Sequence, residues 1–136
     1  MSTSTASAGP ATEGAVLQQI GQIAIRVRDL PRAVRYYREV LGLGYLFEAP
    51  GLAFFQCGGV HLMLSGAETP EFDHAASVLY FDVAEIQVAY RTLLQRGVHF
   101  RDEPHVVHRA GDKALWMAFF DDGEQNVFAI RCWRAA

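Results

Sequence analysis

The sequence predicts an α+β fold assembled from two tandem copies of one βαβββ unit, and three observations carry that prediction. A strand-like run from Gln22 to Leu30 leads into an amphipathic segment that closes on Leu41-Gly42-Leu43, and two further β-like runs end at His61-Leu62-Met63-Leu64. The plan then recurs: Val78 to Ile86 leads into a second amphipathic segment closing on Gly97, and later β-like runs finish at Val127-Phe128-Ala129-Ile130. Within the strand-like runs apolar residues alternate, as half-buried strands require. A repeated small unit implies two half-shells around a shared cavity, so function is expected between them.

Bulk composition narrows the classes. A chain of 136 residues that is 51% hydrophobic can bury a real core as one domain or two fused half-domains. A formal net charge of −3 provides no basic field, which argues against nucleic acid or an anionic membrane as partner and for a small molecule. No apolar run approaches the ~18 residues of a bilayer span, and the opening residues lack the charged and apolar regions of a signal peptide, so a cytoplasmic location is expected. Cys57 and Cys132 lie in or beside apolar strand patterns without C-x-x-C spacing and read as buried free thiols.

Along the chain, residues 1–16 open with a Ser-, Thr-, Ala- and Gly-rich stretch, Met1 to about Glu13, without hydrophobic period, and read as a disordered tail. The first unit spans 17–66. Ile23, Ile25 and Val27 share one strand face, and Gln22, Ala24 and Arg26 the other. Asp29 is a good N-cap, Pro31 is tolerated in the first turn, and Leu30, Ala33, Val34, Tyr37 and Leu41 recur at helical spacing until Gly42 stops the helix. Strands follow over Tyr45 to Glu48, Leu52 to Cys57 and Val60 to Ser65, punctuated by Pro50-Gly51 and Gly58-Gly59. Residues 67–75 form a linker, and 76–134 the second unit. There Glu85 suits the positive end of a helix dipole, and Ile86, Ala89, Tyr90, Leu93 and Leu94 repeat the apolar stripe before Gly97. The remaining strands are His105 to Arg109, Ala114 to Phe120 and Asn126 to Cys132.

Two motifs then carry a resemblance. Val27 through Leu43, reading Val-x-Asp-Leu-x-x-Ala-x-x-Tyr-Tyr-x-x-x-Leu-Gly-Leu, resembles the opening unit of the vicinal oxygen chelate superfamily. Phe119-Phe120-Asp121-Asp122-Gly123-Glu124-Gln125-Asn126 is similar to that superfamily's Phe-x-Asp-Pro-x-Gly-Asn turn, with Gly123 replacing Pro and Gln125 replacing Gly. The resemblance extends from Ile20 to about Trp133. It implies a curved mixed sheet forming a cup, with the helices on its outer face. The superfamily includes glyoxalase I, extradiol dioxygenases, methylmalonyl-CoA epimerase, fosfomycin resistance enzymes and bleomycin-binding resistance proteins, and one fold with so many chemistries leaves function to the site. A homodimer is expected by resemblance only.

In the metal-using members, the resemblance places the ligands at Gln22, Met63, Val78 and Ala129. A thioether, an isopropyl and a methyl offer nothing to a divalent cation that prefers oxygen or nitrogen, so Gln22 is left as a weak neutral donor. His61 shares a strand face with Met63 and could join Gln22, but two neutral ligands are too few. His105 and His108 are three apart and, in a continuous strand, point to opposite faces unless a bulge intervenes. His74 falls in the linker. No nucleophilic triad or phosphate-binding loop can be assembled.

Strand parity puts Gln22, Ala24, Arg26, His61, Met63, Val78, Tyr80, Asp82, Val127, Ala129 and Arg131 on the face away from the helices, and the family's turn geometry adds Phe54, Met117 and Phe119. The candidate ligand-binding set is Gln22, Phe54, His61, Met63, Val78, Tyr80, Met117, Phe119, Ala129 and Arg131, an apolar wall with sulfur, aromatic rings and a few polar groups. Arg26 and Asp82, equivalent in the two repeats, are expected to form a structural ion pair, leaving Arg131 for an anionic or carbonyl group on a ligand. Met63 should partly fill the room of an ion while the Ala129 side stays open. The leading expectation is a metal-independent, cofactor-free binding protein that encloses a small, partly aromatic molecule. The alternatives are a glyoxalase- or dioxygenase-like metalloenzyme with displaced ligands at Gln22 and His61, and a non-catalytic dimerisation module with a filled cup.

Overall fold

The computed structural model describes residues 16–66 and 70–135. The tail expected over 1–16 lies outside the described residues except for Val16. The first unit runs β1 (Gln22–Arg26), α1 (Leu30–Arg35, continuing as a π-helical turn over Tyr36–Val40), β2 (Gly44–Ala49), β3 (Leu52–Cys57) and β4 (Val60–Ser65). After a 3-10 turn at Pro70–Phe72 come β5 (Leu79–Asp82), α2 (Ile86–Gln95), β6 (His99–Phe100), β7 (His105–Ala110), β8 (Lys113–Asp121) and β9 (Val127–Ala135). No described helix is long and apolar enough to cross a membrane.

The α+β repeat is present, and hydrogen bonding divides its strands into two mixed sheets. The first has the order β1-β4-β3-β2, with β1 and β4 parallel. The second has the order β5-β9-β8 with β5 and β9 parallel, and both β6 and β7 pair with β8. β6, absent from the sequence reading, is the first piece of a strand that breaks at Arg101 to Pro104 and resumes as β7. Pro104 cannot donate to a ladder, and at the break the Asp102 carboxylate accepts from the Phe119 amide at 2.8 Å in place of a strand partner.

Both helices start and stop as their sequences dictate. Asp29 accepts from the Arg32 amide at 3.2 Å and Glu85 from that of Gln87 at 3.2 Å, while Gly42 (φ 76°) and Gly97 (φ 99°) supply the left-handed residue beyond each helix. Ile25, Val27, Leu62, Leu64, Phe55, Phe120, Phe128 and Ile130 project from the inner faces of the two sheets into a single core that also buries Val34, Tyr37 and Ile86. The alternation read from β1 is therefore the one that packs. The π-helical turn, closed by the Leu41 amide on the Tyr36 carbonyl at 2.9 Å, lets the consecutive residues Tyr36 and Tyr37 both reach the second unit.

What they reach is the turn between β8 and β9. Asp122 (2% exposed) accepts from the Tyr37 hydroxyl at 2.7 Å, from the amides of Glu124 and Asn126 at 2.7 and 3.0 Å, and from the Asn126 side chain at 2.8 Å. Glu124 (1% exposed) accepts from the Arg28 amide and from the Arg32 guanidinium, which it shares with the Gly123 carbonyl. Gln125 holds φ at 70°, a conformation that suits the Gly of the resembling turn, and its side chain accepts from Arg28 Nε at 3.0 Å.

Replacing Asp122 with Ala would strand a buried hydroxyl, an amide side chain and two backbone donors, so urea unfolding should show a loss of about 3 kcal/mol or more. Burial, aided by the charges of Asp122 and Asp121, pushes the Tyr36 phenol up to about 12, and burial with Asp122 raises Tyr37 well above its ordinary value. An unfolded phenol ionises at about 10, so stability should hold below that pH and fall as the pH rises from there toward the folded values. Urea midpoints measured across this range should decline, and Tyr37→Phe should flatten the decline.

Candidate functional site

The outward face of the first sheet is a grid set by register. Gln22, His61 and Gln56 form one row, Ala24, Met63, Phe54 and Phe47 the next, and Arg26, Ser65, Leu52 and Ala49 the last. A bulge at Leu46 lets Phe47 reach this face, where it stacks on Phe54 with centroids 4.6 Å apart. Gln22 turns its amide nitrogen toward the Met63 sulfur at 3.6 Å.

A cavity of about 520 Å³ opens over the last two rows. Ala24, Leu52 and Met63 make its apolar floor, Pro50-Gly51 closes the hairpin end, and the end of the 3-10 turn with the segment after it, through Phe72, His74 and Ala76, forms the opposite wall. Arg26 and Ser65 supply its polar groups from the strands. The Arg26 side chain, 9% exposed, reaches Asp73 at 2.6 Å rather than Asp82 as expected. Asp82 instead takes Arg131 at 2.7 Å, so Arg131 is not the free cation the sequence implied. Arg131 thus pairs within the second unit, while Arg26 pairs with a carboxylate of the linker.

The second sheet presents Tyr80, Met117, Phe119, Ala129 and Arg131 on its outward face, with Val78 exposed just before β5. The structure therefore gathers the candidate residues into two groups: Gln22, Phe54, His61 and Met63 on one sheet, the remainder at the other. Met63 is the candidate that borders the cavity. Ala129 is fully buried, flanked in register by Tyr80 and Phe119, whose rings meet edge to face at 5.8 Å. The expected opening at Ala129 is closed because aromatic neighbours on both adjoining strands cover the small side chain.

A second departure concerns the histidines. A bulge at Val107 pairs His105 with Met117 and His108 with Leu115, so the two lie on the same face, contrary to the parity of a regular strand. Both are exposed; His108 meets Trp133 edge-on at 6.1 Å, and His105 contacts the Glu103 carbonyl at 2.9 Å. No group of three or more His, Cys, Asp or Glu side chains among the described residues is arranged to hold an ion. At the positions that the superfamily uses for a metal, the donor set Gln22, Met63, Val78 and Ala129 does not fit one. Burial raises the Cys57 thiol above its ordinary value, which disfavours a reactive thiolate.

Strand parity puts Arg26 and Ala24 on the outward face, and Ser65, Leu52, Phe72 and His74 border the cavity without belonging to the candidate set. Parity was available for Ser65 and Leu52, whereas nothing in the linker composition indicates that Phe72 and His74 fold back over the sheet.

Paired βαβββ units, each sheet turning one face to a shared core and the other outward, define the fold class as that of the chelate-type cup proteins. The chain belongs to the Glyoxalase/Bleomycin resistance protein/Dioxygenase superfamily, whose profile matches residues 19–130. Among solved structures it is similar to a glyoxalase/bleomycin resistance protein/dioxygenase from Nocardioides (24% identity, TM-score 0.64, covering 85% of this chain and 83% of that one). A superfamily member from Sphaerobacter thermophilus superimposes with a TM-score of 0.70 at 21% identity, covering 84% of this chain and 96% of that one. Lactoylglutathione lyase from Agrobacterium tumefaciens gives 0.61 at 23% identity, covering 84% and 92%. At these identities the likeness is one of fold. No curated protein matches in sequence.

Because Ala129 is enclosed, Ala129→Phe should overfill the packing under Tyr80 and Phe119 and lower the stability by about 1–3 kcal/mol. Thermal and urea melts check this; an unchanged melt would mean that the space above Ala129 is open after all.

Proposed function

We propose that this protein binds a small, partly aromatic molecule without a metal ion and without transforming it. The observation that carries the reading is the coincidence of an apolar cavity of about 520 Å³ with metal positions that hold a thioether, an isopropyl and a methyl. A fixed open coordination site is what lets an ion polarise a substrate oxygen, and this donor set gives it no anchor. The superfamily contains both metal-dependent enzymes and metal-free binders, and the residues here favour the second.

The outward faces carry exposed Phe47, Val78, Tyr80 and Trp133. Apolar residues in that number on sheet faces favour a homodimer in which a second copy covers part of each cup. The two free thiols suit a reducing compartment, and a cytoplasmic location belongs to the same reading. The competing metalloenzyme reading rests on one observation, the pairing of Gln22 with His61 across β1 and β4, which places two nitrogen- or oxygen-bearing side chains side by side.

Native mass spectrometry separates the two. Protein incubated with Zn²⁺, Ni²⁺, Mn²⁺ or Fe²⁺ and desalted should retain far less than one ion per chain, while planar aromatic molecules should raise the melting temperature equally with and without chelator. Stoichiometric metal that disappears in Gln22→Ala or His61→Ala would overturn the proposal in favour of the metalloenzyme.

A further inference from the structure

We propose that Arg26 forms a carboxylate-binding subsite at the linker end of the cavity, so that the ligand is a small organic acid with an apolar or aromatic body. The inference deepens the binding reading above and rests on it. Arg26 borders the cavity with its side chain 9% exposed, yet its Nε is buried without a hydrogen-bond partner among the described residues. A guanidinium presents five N–H donors, and a buried donor left unmade is costly, so an acceptor entering from the cavity gains the Nε once the guanidinium turns toward it.

The ion pair already present leaves room for one. Asp73 engages Arg26 through Nη1 alone, at 2.6 Å, and its own side chain is 57% exposed. A bidentate carboxylate needs two parallel N–H groups, and the edge that carries Nε is the edge that Asp73 does not use. The surroundings match the rest of such a ligand: Ala24, Leu52, Met63 and Phe72 offer apolar contact, and Ser65 and His74 are the other polar side chains bordering the space. Asp73 sits on the linker immediately after Phe72, so the wall of the cavity brings its own carboxylate to the guanidinium. An incoming acid shares or displaces that contact, and Asp73 therefore weakens anion binding.

The test compares 2-naphthoate with its uncharged isostere 2-naphthamide by isothermal titration calorimetry on the full chain. The parent should prefer the acid, and Arg26→Gln should remove the preference while naphthamide binding persists. Asp73→Asn should tighten naphthoate binding by roughly tenfold and leave naphthamide unchanged, since one competing charged hydrogen bond is removed. Arg26→Lys, which keeps the charge and loses the fork, should fall between parent and Arg26→Gln. If Arg26→Gln does not fold, Asp73→Asn alone decides. Equal affinity for acid and amide, or an Asp73→Asn variant that treats naphthoate as the parent does, would overturn the subsite while leaving the binding reading intact. Failure of both compounds to bind any variant would overturn the subsite together with the cavity's assignment as a binding site.

Discussion

Asp122 is the residue on which the arrangement of the two units depends. A carboxylate removed from water is tolerable only when its oxygens are fully engaged, and here four donors surround it: a tyrosine hydroxyl from α1, two amides of its own turn and the Asn126 side chain. Three of these preform the turn and the fourth ties it to the other unit. Glu124, beside it, is held by the Arg28 amide and Arg32 at the start of α1. The contact between the repeats is thus polar and directional at its centre, with the apolar core continuing beneath it.

The same clasp reaches the cavity. Asn126, buried at 0% exposure, donates from its side chain to the Arg26 carbonyl at 2.9 Å and accepts from the Ala76 amide at 2.7 Å. Arg26 and Ala76 stand on opposite walls of the cavity. One amide side chain therefore bonds both the strand that bears the buried guanidinium and the first residue after the linker, which faces it. The turn that holds the units together therefore also braces two walls of the cavity, since the Asn126 side chain that donates to Asp122 bonds the backbone of Arg26 and of Ala76 as well.

Much of this was legible in the residues. The period-2 pattern of β1 gave the correct buried face, the caps Asp29 and Glu85 and the stops Gly42 and Gly97 lie where their chemistry requires, and β3 and β4 begin and end as read. Periodicity reports which face a strand buries, but an inserted residue is invisible to it. The bulges at Leu46 and Val107 each shift the parity of half a strand, which is why Phe47 joins Phe54 and why His105 and His108 share a face. Ion-pair partners were not legible either. The repeat equivalence of Arg26 and Asp82 gives no distance between them, and the partner that Arg26 finds is a linker carboxylate whose position depends on Phe72 folding over the sheet. Ala129 shows the same gap, since its openness was set by Tyr80 and Phe119 on two other strands.

The proposed ligand site lies on the first sheet, under the linker, and not on the outward face of the second. The chain contains three methionines, of which Met63 lines the cavity and Met117 lies on the second sheet opposite Arg131. With the methionine methyl groups labelled with ¹³C, titration with 2-naphthoate should move the Met63 resonance through the ring current of the bound aromatic. A titration that shifts Met117 and leaves Met63 in place would contradict that placement.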